Sequence, residues 1–335
     1  MNKVTIILAV YNVEQYLDKC IESILNQTFK EIEILAIDDG STDKSADVIK
    51  KYLKENKNIT YIKKENGGYG SVLEMAINSI KTKYFLICDP DDWLDINCIE
   101  KLYNAAEKNK VDLVVADVNY AYGNSIESEY KKCTHRNYPI KPNTIYHNID
   151  NYVFFSPTPH AKLYKTKLAK NIIFPHNVSY TDTILYLVYL NRCSSLIYID
   201  EALAFYYFDR PGNTASGIFG KEYKQKTFSA QIKVIESIIE QLKNSYCNNY
   251  VLYYRLYVEI TSIIPKIKLI KDGSYNENLN KLFDVLDLLK EYKHEMVHEI
   301  KENNKFKLIK RKFLIYSLYN KNLRRKSVWL LNKFY

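Results

Sequence analysis

The sequence predicts an α/β fold: a mostly parallel central sheet with helices on both faces, followed by an all-helical C-terminal region. Three observations predict it. Apolar strand-like runs alternate with helical stripes between Val4 and Cys88. A polar cluster directly follows each of those runs. Beyond residue 218 only helical spacing remains. At 335 residues the chain exceeds one compact domain, so two are expected, 1–217 and 218–335.

Each element has its own warrant. VTIILAV (4–10) is a continuous apolar run, as a strand buried on both faces requires. From Val13 to Leu25, the residues Tyr16, Leu17, Cys20, Ile21, Ile24 and Leu25 form one helical stripe. IEILAI (32–37) predicts the second strand and 45–52 the second helix. Ile59–Ile62 is a short strand, 65–70 a glycine-rich loop, 71–80 a helix and Tyr84–Cys88 the fourth strand. This alternation implies right-handed crossovers in a parallel sheet, whose ligand lies beyond the carboxyl ends of the strands. Tyr11–Asn12, Asp38–Asp39, Asn66–Gly67–Gly68 and Asp89–Asp91 occupy four such ends, so they are expected on one rim. Later, Phe228, Ile232, Ile235, Ile239 and Leu242 repeat at helical spacing, as do Leu279, Leu282, Phe283, Leu286 and Leu289. Asp272–Gly273–Ser274 breaks the run between them, and about four helices are expected.

Composition narrows the class. With 47% hydrophobic and 26% charged residues, the chain reads as a soluble globular protein. Its six cysteines are scattered without a CxxC pair, which argues against a zinc site and for reduced thiols in the cytoplasm. VTIILAV follows one lysine and precedes the polar Tyr11–Asn12, with no small-residue cleavage site, so it is read as a strand and not an export signal. No apolar run approaches the ~20 residues that span a bilayer. Residues 301–335 hold eleven Lys/Arg against one acid, while the whole chain is +9. Basicity therefore belongs to the tail, and no nucleic-acid partner is expected. The tail suits phosphates, an anionic membrane surface, an acidic partner or self-association; a solvated helix face is the plainer alternative. The abundant tyrosines, 31 in all, are read mostly as core and surface filler.

The stretch YFLICDPDDWLD (84–95) carries the chemistry. Pro90 cannot donate to a ladder and ends the strand. If the backbone stays extended across it, Asp89 and Asp91 point one way and Asp92 the other. Two such carboxylates stay ionised together only beside a cation. Oxygen ligands suit Mn2+ or Mg2+, which in turn recruits substrate phosphates. The alternative is an acidic turn capping the next helix through Asp92 or Asp95, and for Asp95 the cap is expected.

The ordered set AVYN (9–12), SILNQT (23–28), DDGSTD (38–43), ENGGYG (65–70) and DPDDWL (89–94) resembles the family 2 glycosyltransferases of the GT-A fold. It covers most of residues 1–95; 150–217 match more loosely, and from about 218 onward no motif matches. The resemblance implies a nucleotide-sugar half, 1–95, and an acceptor half, 96–217. It places Ala9 and Tyr11 along the base and Asp39 on a base N–H, favouring UDP, with Asp38 as a second partner. Gly40, Ser41 and Asp43 serve the turn and the following helix cap. Asn66, Gly67 and Gly68 let backbone approach the donor, while Tyr69 stands where a small or polar residue is expected. Asp89 faces the ribose or sugar of the donor, and Asp91 ligates the metal directly. In HNVSYTDTILYLVYL (176–190), Asp182 takes the place of the acceptor base, at a helix mouth where an N-cap is the plainer role. His160, in PHAKLY (159–164), lines the acceptor site or packs in the core, and Lys162 is structural. In FYYFDRPGNTAS (205–216), Arg210 closes over the diphosphate, with Gly212 in a flexible lid.

The implied reaction is a metal-dependent displacement with inversion, transferring a sugar from UDP to a hydroxyl of a surface polysaccharide, glycolipid or glycoprotein glycan. It would take place in the cytoplasm or at the inner membrane face. A sugar-phosphate nucleotidyltransferase is the alternative enzyme, but AVYNVEQYL is not its glycine-rich basic phosphate loop. A non-catalytic UDP-sugar binding module is the third class; it would be expected to lack Asp39 or Asp91.

Overall fold

The structure is a computed structural model that describes residues 2–122, 128–134, 140–147, 155–210, 223–243, 250–292, 316–320 and 322–334. The chain divides into two compact units, Met1–Asn213 and Thr214–Tyr335.

The first unit is built on a ten-stranded sheet. In chain order its elements are β1 (Val4–Val10), α1 (Leu17–Leu25), β2 (Ile32–Asp38), α2 (Ser45–Leu53), β3 (Ile59–Lys63), α3 (Tyr69–Ser79) and β4 (Tyr84–Ile87). Then follow β5 (Trp93–Leu94), α4 (Cys98–Asn109), β6 (Leu113–Ala121), β7 (Ser128–Lys131), β8 (Ile145–Tyr146), β9 (Lys162–Lys165), α5 (Thr166–Ala169), α6 (Asp182–Leu190) and β10 (Leu196–Tyr207). The sheet order is β3-β2-β1-β4-β9-β6-β10-β5, with β7 on β6 and β8 on β10. β3, β2, β1 and β4 are parallel, as the alternation predicts. The sheet is mixed beyond them, because β9 lies antiparallel between β4 and β6.

Both faces of β1, β2 and β4 are buried, which explains their apolar runs, whereas the edge strand β3 buries only Ile59. Ile6, Leu8 and Val10 share a core with Leu17, Ile21 and Ile24 of α1 and Ile49 of α2. Ile7, Ile37, Phe85 and Ile87 are buried outside that cluster, and α3 packs against β1 and β2. α1 starts at Leu17, later than the stripe from Val13 suggests. Ser45 Oγ accepts from the Val13 N–H and Asp43 Oδ2 from the Glu14 N–H, each at 3.0 Å, so those residues are tied to the next turn before a helix can form.

In the second unit, α7 (Gln225–Lys243) buries Phe228, Ile232, Ile235, Ile239 and Leu242, the residues its spacing singles out. α8 (Tyr250–Ile263), α9 (Tyr275–Asp287) and α10 (Arg324–Phe334) follow. Gly273 turns the chain ahead of α9 with φ +82°. Arg324 of α10 pairs with Asp287 of α9, donates to the Leu318 carbonyl at 2.6 Å and lies over the Phe283 ring. No helix among the described residues is long and apolar enough to cross a membrane. The basic stretch 301–315 and the Gly212 loop lie outside the described residues.

Candidate active site

The carboxyl ends of β1 and β2 are stitched to the loop after β3 by side chains from the motifs. Asn12 holds φ 51°, and its Oδ1 accepts from the Thr42 N–H at 2.9 Å. Asp38 is fully buried; Oδ1 accepts from the Ser41 N–H at 2.7 Å and Oδ2 from the Tyr61 hydroxyl at 2.8 Å. Burial would raise its pKa, but these bonds outweigh it and hold the carboxyl below its usual value. Asp39 binds the glycine loop: Oδ1 accepts from Lys64 Nζ at 2.5 Å and the Gly67 N–H at 2.9 Å, Oδ2 from the Gly68 N–H at 2.7 Å. Asn66 Nδ2 donates to the Asp39 carbonyl at 3.0 Å. Asp38 and Asp39 thus spend most of their acceptor capacity inside the protein. Ala9 is half-buried near the end of β1, and Tyr11 beside it is 49% exposed, leaving its ring accessible.

The glycines of ENGGYG make room for the protein's own chain. A Cβ on Gly68 (φ +81°) would stand 3.0 Å from the Asn177 nitrogen, and one on Gly70 would stand 3.0 Å from Phe174 Cβ. The Asn177 N–H donates to the Gly67 carbonyl at 2.7 Å. The space that the sequence reading reserves for donor approach is, on this side of the loop, filled by the segment that leads to Asp182.

The DPDD stretch departs from the extended backbone expected of it. The Asp92 N–H donates to the Asp89 carbonyl at 2.9 Å, closing a turn with Pro90 at its second position, where a fixed φ is favoured. The turn brings Asp92 to the same side as Asp89. It prevails because Asp92 gains buried partners: Oδ1 accepts from the Tyr207 N–H at 2.8 Å, and Oδ2 lies 2.6 Å from His160 Nε2. Asp92 is therefore not a helix cap; Asn97 stands at the N-cap of α4, with Asp95 Oδ1 accepting from its N–H at 2.9 Å. His160, 6% exposed, also lies 3.9 Å from Asp89 Oδ2 and packs on the Tyr206 ring.

The charges here are crowded. Burial, with further repulsion from Asp92 and Asp91, pushes the Asp89 carboxyl up to about 7, against the opposing pull of His160. Burial raises Asp92 and lowers His160, so both are driven toward their neutral forms. Asp91 forms an ion pair with Arg210 through Oδ2 and Nε, and the guanidinium lies 5.8 Å from the centre of the Tyr16 ring.

Asp182 is the first residue of α6, with Thr181 at the N-cap and no side-chain cap bond from it. Burial raises the Asp182 carboxyl, while His160 and Lys162 pull it back. Lys162 is fully buried, donates to the Thr158 carbonyl and is lowered to about 8 by burial. The Tyr69 hydroxyl donates to Asp89 Oδ1 at 2.9 Å, and burial, with the charges of Asp89 and Asp182, holds its pKa well above the usual value. Sequence reasoning leaves the role of Tyr69 open and offers Asp92 only as an alternative helix cap. The one signal for Tyr69 is its size at a position where a small residue is expected.

Asp89, Asp92 and His160 offer ligand atoms within 4.8 Å of one another. Asp92 and His160 are closed on each other and nearly solvent-free, whereas the Asp89 side chain is 24% exposed. Arg210 already seats one cation against Asp91. Crowded hard oxygen donors with a cation in contact fit Mn2+ or Mg2+ better than a softer ion.

The family described as glycosyl transferase family 2 matches residues 5–173, half of the chain. Glycosyltransferase GlyA of Streptococcus pneumoniae is 28% identical over 251 residues, 72% of this chain and 35% of GlyA, so the chain spans about a third of that relative. The crystal structure of S. aureus TarS 1–349 in complex with UDP-GlcNAc superposes with a TM-score of 0.74 at 16% identity, covering 99% of this chain and 90% of that one. Mannosyltransferase PcManGT from Pyrobaculum calidifontis, in complex with GDP-Man and Mn2+, gives 0.54 at 12% identity, covering 99% and 87%. The last two show the fold, which is GT-A with a helical extension. On the family match over half its length, the chain belongs to glycosyl transferase family 2.

Proposed function

We propose that the protein transfers a sugar from a UDP-sugar to a hydroxyl of a glycan acceptor, with inversion, in a reaction that needs Mn2+ or Mg2+. The observation that carries this reading is the Asp89–Asp92 turn, with its crowded carboxylates, Asp91 paired with Arg210 and Tyr69 bonded to Asp89. UDP as the nucleotide is supported by the TarS complex, and a divalent ion by the Mn2+ complex of PcManGT.

The roles divide by position. Tyr11 lays its exposed ring on the base, with Ala9 beside it. Asp39 has one acceptor site left, on Oδ2, for a base N–H, and Asp38 holds the turn that aims it. Asn66, Gly67 and Gly68 hold the loop against Asp39. Asp89 and Asp91 hold the cation, which when bound neutralises charge on the departing diphosphate. Arg210 adds a second positive charge there. Asp182 accepts the proton of the acceptor hydroxyl as its oxygen bonds to the anomeric carbon and the bond to the diphosphate breaks. The basic C-terminal region would bring the protein to the inner face of the membrane, in the cytoplasm.

A panel of UDP-sugars, assayed for UDP release with and without EDTA, tests the reading. Release should require the metal and be lost in Asp91→Ala. Nucleotide binding without turnover on any donor or acceptor would overturn it.

A further inference from the structure

We propose that Arg210 is the resident counter-cation of Asp91, and that it leaves Asp91 for the diphosphate when the divalent ion binds. This rests on the metal role proposed above for Asp91. Asp91 is 8% exposed, and a carboxylate so buried is costly unless a cation compensates it. In the structure that cation is the Arg210 guanidinium, in contact with Oδ2 through Nε.

The pairing is built to be exchangeable. Arg210 lies three residues past the end of β10, 21% of its side chain is exposed, and its guanidinium lies over Tyr16, a partner that can hold a cation without neutralising it. A guanidinium and a divalent ion cannot both keep close contact with the same carboxylate oxygen, because like charges repel. A diphosphate removes the conflict, since it offers Arg210 new oxygen partners in bidentate geometry. Metal and nucleotide should therefore bind with positive coupling, part of which runs through Arg210 and is reciprocal. The free protein thereby discriminates against binding the ion alone, and loads it together with the nucleotide.

The test is Mn2+ binding to the full chain, read by electron paramagnetic resonance and calorimetry, with and without UDP. It compares wild type, Arg210→Gln and Arg210→Lys, with Asp91→Asn as the site control. Without UDP, Arg210→Gln should bind Mn2+ about 5- to 10-fold more tightly than wild type. With Mn2+ present it should bind UDP more weakly by a comparable factor. Arg210→Lys, which keeps the charge, should fall between the two. If wild type takes up Mn2+ with UDP and Arg210→Gln shows unchanged or weaker Mn2+ affinity without it, this proposal alone is overturned. If wild type binds no Mn2+ in either condition, or Asp91→Asn binds it equally well, the metal role of Asp91 falls and the proposal with it.

Discussion

Asp89 shows how one side chain holds opposing demands. Its carboxyl sits up at about 7, against an ordinary value of 3.8, because burial and two neighbouring carboxylates disfavour its charge. The folded protein therefore holds this proton more tightly than the unfolded chain does. The stability it contributes is complete below about pH 4 and is lost as pH rises through about 7. In EDTA, Asp89→Asn should melt above wild type by about 3–6 °C at pH 8 and lose that advantage near pH 5, as followed by circular dichroism. Asp182 is raised in the same direction by burial. The acid limb of kcat should lie above the ordinary carboxylate range, with activity rising as pH increases and the base deprotonates. Asp182→Asn should lower kcat by roughly 10²–10⁴ while leaving the UDP affinity within about twofold, measured by transfer assay and calorimetry. The candidate carboxylates are proposed from the sequence because most of them directly follow apolar runs within an ordered set of motifs. The pairing of Asp92 with His160 could not, since it joins positions 68 residues apart.

Elements decide where those residues point. Gly68 and Gly273 share a left-handed backbone, φ +81° and +82°, but differ in surroundings. A Cβ at Gly68 meets the Asn177 backbone at 3.0 Å; one at Gly273 meets nothing within 4 Å. Gly273→Ala should cost about 1 kcal/mol from backbone strain alone. Gly68→Ala should cost more, about 2–3 kcal/mol, and also weaken UDP binding, because it pushes the 174–181 segment off the loop. Denaturant melts and UDP titration of the two variants separate the effects. The strands β1, β2 and β4 were legible because burial on both faces leaves an apolar record. β9 was not, since KLYK carries two lysines and its antiparallel place between β4 and β6 is set by distant partners. The turn from Asp89 to Asp92 escaped for a similar reason: Pro90 suits an extended chain and a turn equally, and the buried partners of Asp92 decide between them.

Across the whole molecule the charge is divided. Residues 214–335 contain 23 Lys/Arg and 12 Asp/Glu, whereas the chain as a whole is +9, so the first unit is slightly acidic. Attraction of the second unit to an anionic surface should be screened by salt, while contacts inside a buried nucleotide site should not. Co-sedimentation with phosphatidylglycerol vesicles should therefore fall sharply between about 0.05 and 0.5 M NaCl. UDP affinity in Mn2+, measured by calorimetry over the same range, should change little. The sequence by itself determined the strand–helix alternation and parallel pairing of the first half, the rim on which the polar clusters gather, and the helical character of the described remainder. These follow from local periodicity and from the handedness of crossovers, which any chain must obey. Only the tertiary structure decided that Asp91 faces Arg210, that Asp92 turns back to His160, and that the Tyr69 hydroxyl bonds to Asp89. Such pairings depend on which distant side chains share a low-dielectric interior, and there a buried charge takes whatever partner the packing brings within reach.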